Sequence, residues 1–443
     1  MTRWIISLIS LVLLSNVVSA ADDPAQMREL VVVHTNDFHG HIKEEKEYAG
    51  AARISAYVNH QRKRYPGVLF LDAGDAISGT PVSTMYKGLP VFHVMNAMNY
   101  DAGVLGNHEF DHGYKHISKF REISNHLLLS ANVFDPEGNL IGDREHQVFE
   151  INGITIGIIG LTTDKTPAMV TPVGNDGLNF HRPEDVLRKQ VEILRPIVDL
   201  IIVLSHVGHE RDKAMADSIP GIDIIVGGHS HTLVKTPVKV GTTYIAQAHR
   251  YGTHVGILHF FVNTKTKTVS HFTGKLVEAA NLPEADPDVL KVVNFWEEKV
   301  EGLVDMEITT SDREISGHLL QSMMETIMAE VSGADFGYYN IGGVRDKIPR
   351  GSVTARHIWN IEPFGNTLVT LEITGADYLT LLSRESESHS SIGSIDPDKT
   401  YKIATNSFIG AHAVKAFDNK IKLNDLGILI RDIMIDHIKE NGI

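Results

Sequence analysis

Five apolar runs of this chain each end in an acidic, amide or imidazole side chain, and this repeated feature constrains the fold most strongly. The polar positions that follow the runs are Asp37, Asp75, Asn107, His206 and His229. Segments with helical spacing of apolar residues lie between the runs, so strand-like and helix-like segments alternate from about residue 28 to about residue 275. Such alternation predicts a layered α/β domain with covered sheets.

The individual elements follow from the same pattern. Strands are predicted over residues 29–34, 68–71, 102–105, 127–131, 154–161, 200–204 and 222–226. Helices are predicted over residues 50–64, 91–98 and 183–194, and residues 241–278 have the pattern of strands and hairpins.

A composition break at residues 282–287 (Leu-Pro-Glu-Ala-Asp-Pro) indicates a boundary. A helix predicted over 288–304 is expected to bridge two domains. A second unit starts with a predicted helix over 316–331, continues with glycine-rich turns and short strands, and contains a polar segment, 383–394, that is predicted to be a loop. The predicted organisation has four parts: a signal peptide, a large domain, a linker helix and a smaller domain, over residues 1–20, 28–280, 281–306 and 307–443.

The first twenty residues have the pattern of a secretory signal peptide. Arg3 provides the positive start, residues 4–14 are apolar, and Val18-Ser19-Ala20 is a small-residue cleavage site. The alternative is an N-terminal membrane anchor, but the apolar run is short for a span. The chain has no cysteine, so it has no lipid-anchor cysteine and no disulfide. We therefore expect a periplasmic or secreted protein without a stable membrane anchor after signal cleavage.

The formal net charge of −14 restricts the binding partners. Nucleic-acid polymers and anionic membranes need a basic surface, so the charge argues against both as general partners. An anionic small-molecule substrate would have to meet a local positive charge that the bulk composition hides.

The polar strand ends are expected to converge, because sites in open α/β sheets form outside the carboxyl ends of the strands. Asp-x-His and His-x-His spacings place alternate side chains on one side of an extended segment, and the preceding glycines permit a sharp turn. The candidate metal ligands are Asp37, His39, Asp75, Asn107, His206, His229 and His231.

This donor set suits Zn, Mn, Fe or Ni better than Ca or Mg. Seven donors are too many for one tetrahedral ion, and they suit two divalent ions about 3.5–4 Å apart that share a carboxylate and a hydroxide. The alternative for any single histidine is a hydrogen-bonded core residue, and the chain has 24 histidines. Five strands of one domain that each end in a potential metal ligand are much harder to obtain by chance, which favours the metal centre.

Three longer strings carry a family resemblance: HTNDFHGHI from His34, DAGDAISGTPVS from Asp72 and GNHEFDHG from Gly106. In this order they resemble the calcineurin-like metallophosphoesterases, and within them the secreted 5′-nucleotidases. The resemblance implies an α/β fold: a four-layer β-sandwich with flanking helices, followed by a smaller α+β substrate-binding domain.

The resemblance also assigns roles to the candidate residues. One ion would be held by Asp37, His39, Asp75 and His231, and the other by Asp75 as the bridge, Asn107, His206 and His229. His108 would form a dyad with Asp111, in which His108 stabilises developing charge or protonates the leaving oxygen and Asp111 orients it. The alternative for Asp111 is an ordinary turn residue.

The second unit resembles the C-terminal domain of 5′-nucleotidases. By this resemblance Asn340 and Arg345 would contact the phosphate and sugar, and Phe364 and Phe408 would sandwich a base. The alternative for such a phenylalanine is core packing. Two features depart from the family: residues 409–412 read Ile-Gly-Ala-His where the family usually has a Gly-Gly-Asp-Gly turn whose Asp helps to grip the ribose, and Arg313 does not align with a phosphate-binding arginine.

The sequence thus predicts metal-dependent hydrolysis of phosphate monoesters, nucleoside 5′-monophosphates first, with nucleotide pyrophosphates such as UDP-sugars and cyclic nucleotides as further substrates. Two divalent ions contribute about +4 against about −3 from two carboxylates and a hydroxide, which leaves local positive charge for a phosphate. Two alternatives stay open: a thiosulfohydrolase that acts on a sulfur-carrier protein, and a non-enzymatic nucleotide-binding protein.

Overall fold

The computed structural model describes residues 26–383, 395–417 and 421–443. The predicted signal peptide and residues 384–394 of the predicted polar loop lie outside the described residues. We call residues 26–304 the N-terminal part and the described residues from 305 onwards the C-terminal part.

The N-terminal part is built from fourteen strands and seven helices. The strands are β1 Met27–Thr35, β2 Val68–Asp72, β3 Ala102–Val104, β4 Leu127–Leu129, β5 Val133–Phe134, β6 His146–Ile151, β7 Ile154–Thr162, β8 Asn179–Phe180, β9 Leu200–His206, β10 Ile224–Gly227, β11 Val238–Val240, β12 Thr243–Ala246, β13 His254–Asn263 and β14 Thr268–Glu278. The helices are α1 Gly50–Arg64, α2 Pro81–Met85, α3 Leu89–Met98, α4 Ile117–Ile123, α5 Pro183–Leu194, α6 His209–Ser218 and α7 Pro287–Val304.

Twelve of these strands form two six-stranded sheets, with the orders β14-β13-β1-β2-β3-β4 and β11-β12-β10-β9-β7-β6. Strands β1 to β4 run parallel to one another in the first sheet, as do β7, β9, β10 and β12 in the second. Since the carboxyl ends of parallel strands meet at one edge of a sheet, both sheets present their ligand-bearing loops at an edge.

Strand β9 shows how the layers are packed. Leu200, Ile202 and Leu204 point into the apolar layer between the two sheets, whereas Ile201 and Val203 point to the outer face. Both sets are fully buried. A parallel strand covered on both faces has to be apolar throughout, which explains why its sequence is a continuous run without alternation.

Helices cover the outer face of each sheet. Val58 of α1 and Val94 of α3 pack in the cluster on the first sheet, while Leu187 of α5 and Met215 of α6 pack in the cluster on the second. The order of layers is therefore helix, sheet, sheet, helix, which is the predicted four-layer architecture.

Helix α7, the predicted bridge between two domains, packs along the N-terminal part and also contacts the C-terminal part, since Glu297 lies 2.9 Å from Arg356. Asp286 caps it by accepting from the backbone N–H of Asp288 at 3.0 Å, and its other carboxylate oxygen accepts from Asn59 of α1 at 2.8 Å. Val293 and Val300 are buried against the helices of the first sheet. The helix is thus part of the outer layer, and the chain crosses to the C-terminal part only after Val304.

The C-terminal part contains six strands and five helices among the described residues. They are β15 Glu307–Ser311, α8 Gly317–Ser332, β16 Phe336–Gly337, β17 Gly351–Thr354, α9 Ala355–Ile361, β18 Thr367–Thr374, α10 Gly375–Ser383, β19 Thr400–Asn406, α11 Ser407–Ala416, β20 Lys422–Leu429 and α12 Ile430–Asn441. The sheet order is β16-β19-β18-β20, with β15 and β17 as a separate pair. This is the predicted smaller α+β unit, but it has four helices, α9 to α12, where the sequence suggested turns and short strands.

The packing of α7 can be tested by a matched pair of substitutions. Val300→Ala removes a fully buried side chain and should lower the free energy of unfolding by about 2 kcal/mol. Leu303→Ala, on the same helix but 65% exposed, should change it by less than about 0.5 kcal/mol. Urea unfolding measures both, and equal effects of the two variants would contradict the placement of α7.

Candidate metal centre and substrate cavity

Most of the predicted metal ligands have an unusual backbone conformation. Five of the seven have positive φ angles, although none is glycine: Asp37 at 50°, His39 at 49°, Asp75 at 54°, His229 at 72° and His231 at 50°. Side-chain-bearing residues rarely adopt this left-handed region, and each instance costs roughly 1–3 kcal/mol. Such a concentration of strain is typical of a functional site that the surrounding fold holds in place.

Three of these residues form one cluster at the end of the first sheet. The Nε2 atom of His231 lies 3.3 Å from Asp37 Oδ1 and 3.2 Å from Nε2 of His39. One ligand atom from each of the three residues lies within 4.8 Å of the others, close enough to share one metal ion.

A second cluster contains Asp75, His206 and His229, whose ligand atoms also lie within 4.8 Å of one another. The Nε2 atom of His206 is 3.0 Å from Asp75 Oδ2, and the Nδ1 atom of His229 is 2.9 Å from the side-chain oxygen of Asn107. Asp75 Oδ2 is also 3.8 Å from His39 Nε2. The Asp75 carboxylate therefore lies between the two clusters.

Hydrogen bonds behind the ligands fix the imidazole tautomers. His39 and His206 each donate from Nδ1 to a backbone carbonyl, that of Ser78 at 2.9 Å and that of Ala73 at 2.7 Å. In the neutral rings the Nε2 lone pairs then point into the centre, as in metal-ligating histidines. The buried Nε2 atom of His206 faces Asp75 Oδ2 at 3.0 Å.

The electrostatics of the centre favour a positive charge. Burial lowers the pKa of His206, but the carboxylates of Asp75 and Asp37 outweigh it and raise the pKa to about 10. Burial lowers the pKa of His229 to about 4, which keeps that ring neutral. A positive charge beside Asp75 is therefore strongly favoured, and neutral imidazoles next to carboxylates suit a divalent ion, so the residues present fit a metal centre.

Glu109 is a residue of the site that the sequence analysis did not assign. Its buried carboxylate accepts from the backbone N–H groups of Asp75 at 3.1 Å, Ala76 at 2.9 Å and Gly106 at 2.6 Å. It thereby joins the loop that carries Asp75 to the loop that carries Asn107. Burial and the charge of Asp75 raise the pKa of Glu109 to about 7. The string GNHE contained this residue, but only the fold shows which amides it meets.

Close packing of the two loops explains one of their glycines. A Cβ atom on Gly106 would lie 2.2 Å from Oδ1 of Asp75. Any side chain there would displace the carboxylate, so the position requires glycine.

The predicted dyad is formed. His108 Nδ1 lies 2.8 Å from Asp111 Oδ2, and the backbone N–H of His108 donates to Asp75 Oδ1 at 2.8 Å. Burial lowers the pKa of His108, but Asp111 and Asp75 outweigh it and the net shift is upward. Asp111 also sits in a turn, with its N–H on the carbonyl of His108 at 3.0 Å, so the turn and the dyad coexist. The His108 ring stacks on Phe364 at 5.5 Å between centroids.

A cavity of about 560 Å³ lies between the two parts of the chain. The N-terminal part contributes Asp75, Asn107, His108, Asp111, Ala168, Met169, Val170, Thr171, His229, Ser230 and His231 to its lining. The C-terminal part contributes Asn340, Gly342, Gly343, Arg345, Phe364, Gly365, Asn366, Ser407 and Phe408. Asn340, Arg345, Phe364 and Phe408, the four predicted substrate contacts, are thus brought to the candidate metal centre.

Arg345 links the two sides of this cavity. Its guanidinium lies 3.4 Å from His39 Nε2 and 5.7 Å from the centre of the Phe364 ring. Arg313, the residue that did not align with a phosphate-binding arginine, is exposed and is not among the lining residues.

The segment that departs from the family is the start of a helix. Asn406 caps α11 by accepting from the N–H of Ile409 at 2.7 Å, and its amide nitrogen donates to Asn340 at 2.9 Å. Asn366 accepts from Ser407 Oγ at 3.2 Å and from the N–H of Phe408 at 3.3 Å. Asn366 therefore ties the loop of Phe364 to the start of the helix that carries Phe408, a role that no local sequence pattern indicates.

Two family models match the chain. The calcineurin-like phosphoesterase model matches residues 30–233, and the 5′-nucleotidase C-terminal domain model matches residues 299–394. A mouse 5′-nucleotidase is 30% identical over an alignment of 412 positions, which covers 79% of this chain and 70% of the mouse protein. The chain belongs to the 5′-nucleotidase family.

Other members of the 5′-nucleotidase family cover still more of the chain. Protein UshA of Yersinia enterocolitica is 27% identical over an alignment of 503 positions, which covers 94% of this chain and 91% of that protein. The crystal structure of a 5′-nucleotidase precursor from Thermus thermophilus is 27% identical, has a TM-score of 0.84, and covers 93% of this chain and 96% of its own. The chain described here is thus a phosphoester hydrolase, and the calcineurin-like fold of its N-terminal part implies divalent metal ions.

The role of Glu109 can be tested through metal binding. Glu109→Gln keeps the shape of the side chain but turns an amide N–H₂ toward backbone donors, which should loosen both ligand loops and weaken metal affinity about 10–100-fold. Equilibrium dialysis in Mn²⁺ buffers with elemental analysis measures the affinity. Glu122→Gln, at an exposed position, is the control. Unchanged affinity in Glu109→Gln, with unfolding monitored in parallel, would contradict the assignment.

Proposed function

We propose that this protein hydrolyses nucleoside 5′-monophosphates to nucleoside and phosphate, with nucleotide pyrophosphates and cyclic nucleotides as further substrates. One observation carries the proposal. A single cavity is lined by Asp75, Asn107 and the His229–His231 loop on one side and by two phenylalanines of the C-terminal part on the other. A phosphate at the first side leaves its ester group facing the aromatic side, where any base has a π face that can stack.

The proposed metal site holds two divalent ions, Zn, Mn or similar. Asp37, His39, Asp75 and His231 are assigned to one ion, and Asp75, Asn107, His206 and His229 to the other. The position of the Asp75 carboxylate between the two clusters supports its role as the bridge. When bound, such ions would polarise the phosphate and supply a nucleophile from water at neutral pH.

The protein side chains are assigned the remaining tasks. Arg345, whose guanidinium faces the metal ligands, is proposed to bind the phosphate oxygens with its fork of donors. His108 is proposed to donate a proton from Nε2 to the leaving oxygen, and Asp111 holds its other nitrogen at 2.8 Å. Asn340 is proposed to contact the sugar, and Phe364 and Phe408 the base.

Export and the domain boundaries complete the proposal. We propose that residues 1–20 are a signal peptide and that the protein acts in the periplasm or outside the cell, on small molecules and not on nucleic-acid polymers. Among the described residues, no helix is both long and apolar enough to cross a membrane. The boundaries at 28–280, 281–306 and 307–443 are kept as a proposal, with α7 packed on the first of the two domains.

The first experiment measures phosphate release from a panel, with and without Mn²⁺ or Zn²⁺. AMP, UMP, a UDP-sugar and a 2′,3′-cyclic nucleotide are compared with ribose 5-phosphate, which has no base. We expect metal-dependent release and a preference for nucleotides. Phe408→Ala should remove about 1–3 kcal/mol of that preference, which is about 5- to 150-fold, without affecting ribose 5-phosphate. No release from any phosphoester, combined with cleavage of a thiosulfonate on a carrier protein, would favour the thiosulfohydrolase alternative.

Two substitutions separate metal binding from proton transfer. Asp75→Asn should lose both metal and activity, because it removes the charge shared by the clusters. His108→Ala should keep its metal content and lose about 10²–10⁴-fold in kcat. Elemental analysis and steady-state kinetics measure the two effects. If His108→Ala kept full kcat on AMP, the dyad would have no role in leaving-group protonation.

A further inference from the structure

Part of the cavity wall comes from a short segment of the N-terminal part. Residues 168–171 line the cavity together with Phe408. Their backbone is well fixed: the N–H of Val170 donates to the carbonyl of Thr166 at 3.1 Å, and Asn175 Nδ2 donates to the carbonyl of Thr171 at 3.0 Å. Val170 itself is 2% exposed. This short segment, which we call the 168–171 wall, therefore presents a defined surface to the C-terminal part.

His412 joins this wall to the aromatic side of the cavity. It lies one helical turn after Phe408 on α11, and its ring meets the Phe408 ring edge-on, with centroids 4.6 Å apart. Its Nε2 atom is 3.1 Å from the carbonyl oxygen of Val170. A carbonyl only accepts, so Nε2 must carry a hydrogen and donate it. One side chain thus fixes the position of an aromatic ring and closes a contact between the two parts of the chain.

The other contacts between the parts that border the cavity lie elsewhere. Arg345 approaches His39 at the metal end, and Thr84 Oγ1 donates to the carbonyl of Pro363 at 2.8 Å, beside Phe364. Lys415 on α11 approaches Asp176 at 3.7 Å, but both side chains are at least 70% exposed and such a pair contributes little. The half-buried hydrogen bond of His412 is therefore the polar contact that connects the helix of Phe408 to the 168–171 wall.

We propose that His412 is a positioning residue for substrate selection: through its contacts with Phe408 and Val170 it sets the space available to the part of the substrate that lies farthest from the phosphate. The inference rests on the proposed function, since it assumes that the leaving group reaches the aromatic side. The inference concerns substrates with a ring on the leaving group. Hydrolysis of small phosphoesters should not depend on His412.

The test compares three variants of the full chain, loaded with Mn²⁺, on AMP and on ribose 5-phosphate. His412→Ala should raise KM for AMP about three- to ten-fold, the effect of losing one neutral hydrogen bond, with kcat unchanged and ribose 5-phosphate unaffected. His412→Gln retains an N–H donor for the Val170 carbonyl and should restore most of the KM. His412→Phe keeps a ring beside Phe408 without a donor and should behave like His412→Ala. His60→Ala, at an exposed position on α1, is the control.

The outcomes separate this inference from the proposed function. If the wild-type protein prefers AMP and His412→Ala has the same KM for AMP, the proposed role of His412 is wrong, but the proposed base pocket is not contradicted. The same conclusion follows if the substitution affects ribose 5-phosphate as strongly as AMP. If His412→Phe restores the KM and His412→Gln does not, the contact with Val170 is not what positions the ring, and the inference fails in that form. If the wild-type protein does not distinguish AMP from ribose 5-phosphate, the base pocket and this inference fail together.

Discussion

The apolar layer between the two sheets sets the separation of the loops that form the candidate metal centre. Asp37 follows β1 of the first sheet and His206 ends β9 of the second, yet Asp37 Oδ1 and His206 Nε2 lie 4.0 Å apart. Packing in this shared layer, to which Val32 and Ile202 belong, and the hydrogen bond from His206 to the carbonyl of Ala73 hold these ends together. Because close-packed layers transmit small changes in volume, a substitution in this layer would shift ligands that it never touches.

Buried polar groups offset the strain of the ligand loops. Asn36 donates to Asp37 at 2.6 Å and to the carbonyl of His249 at 2.6 Å, and Gln247 donates to the carbonyl of Gly228 at 2.6 Å, next to His229. Together with Glu109, these side chains hold backbone that would otherwise leave the left-handed region. A polar network of this kind stabilises only if its members are satisfied, and these side chains each meet a partner in the ligand loops. The ligand loops are therefore held by hydrogen bonds from the protein itself.

The sequence was most informative where a candidate functional residue lies directly at the end of a strand that its apolar residues predict. The strand pattern around residues 200–204 predicted β9 because a strand buried on both faces must be apolar, and the structure extends that strand to His206. Glu109 and Asn366 could not be assigned in the same way, since each acts on backbone amides that are distant in sequence. The helical start after Asn406 was missed because the glycine of the Phe-Ile-Gly-Ala segment suggested a turn, whereas Gly410 lies inside α11 where a Cβ would meet Leu423 at 2.8 Å.

The placement of positive charge couples the two parts of the chain. With a net charge of −14, the protein as a whole repels anions, so a phosphate can be attracted only locally. Arg345 comes from the C-terminal part, while His39, the candidate metal ligand it approaches, comes from the N-terminal part. The cavity therefore has its full positive charge only when the two parts are apposed as they are here. The apposition that brings Arg345 to the metal ligands also brings Phe408 to the 168–171 wall. In the proposed function, attraction of the phosphate and enclosure of its leaving group therefore both depend on the apposition of the two parts. A substrate whose leaving group keeps the two parts from meeting also loses its contact with Arg345.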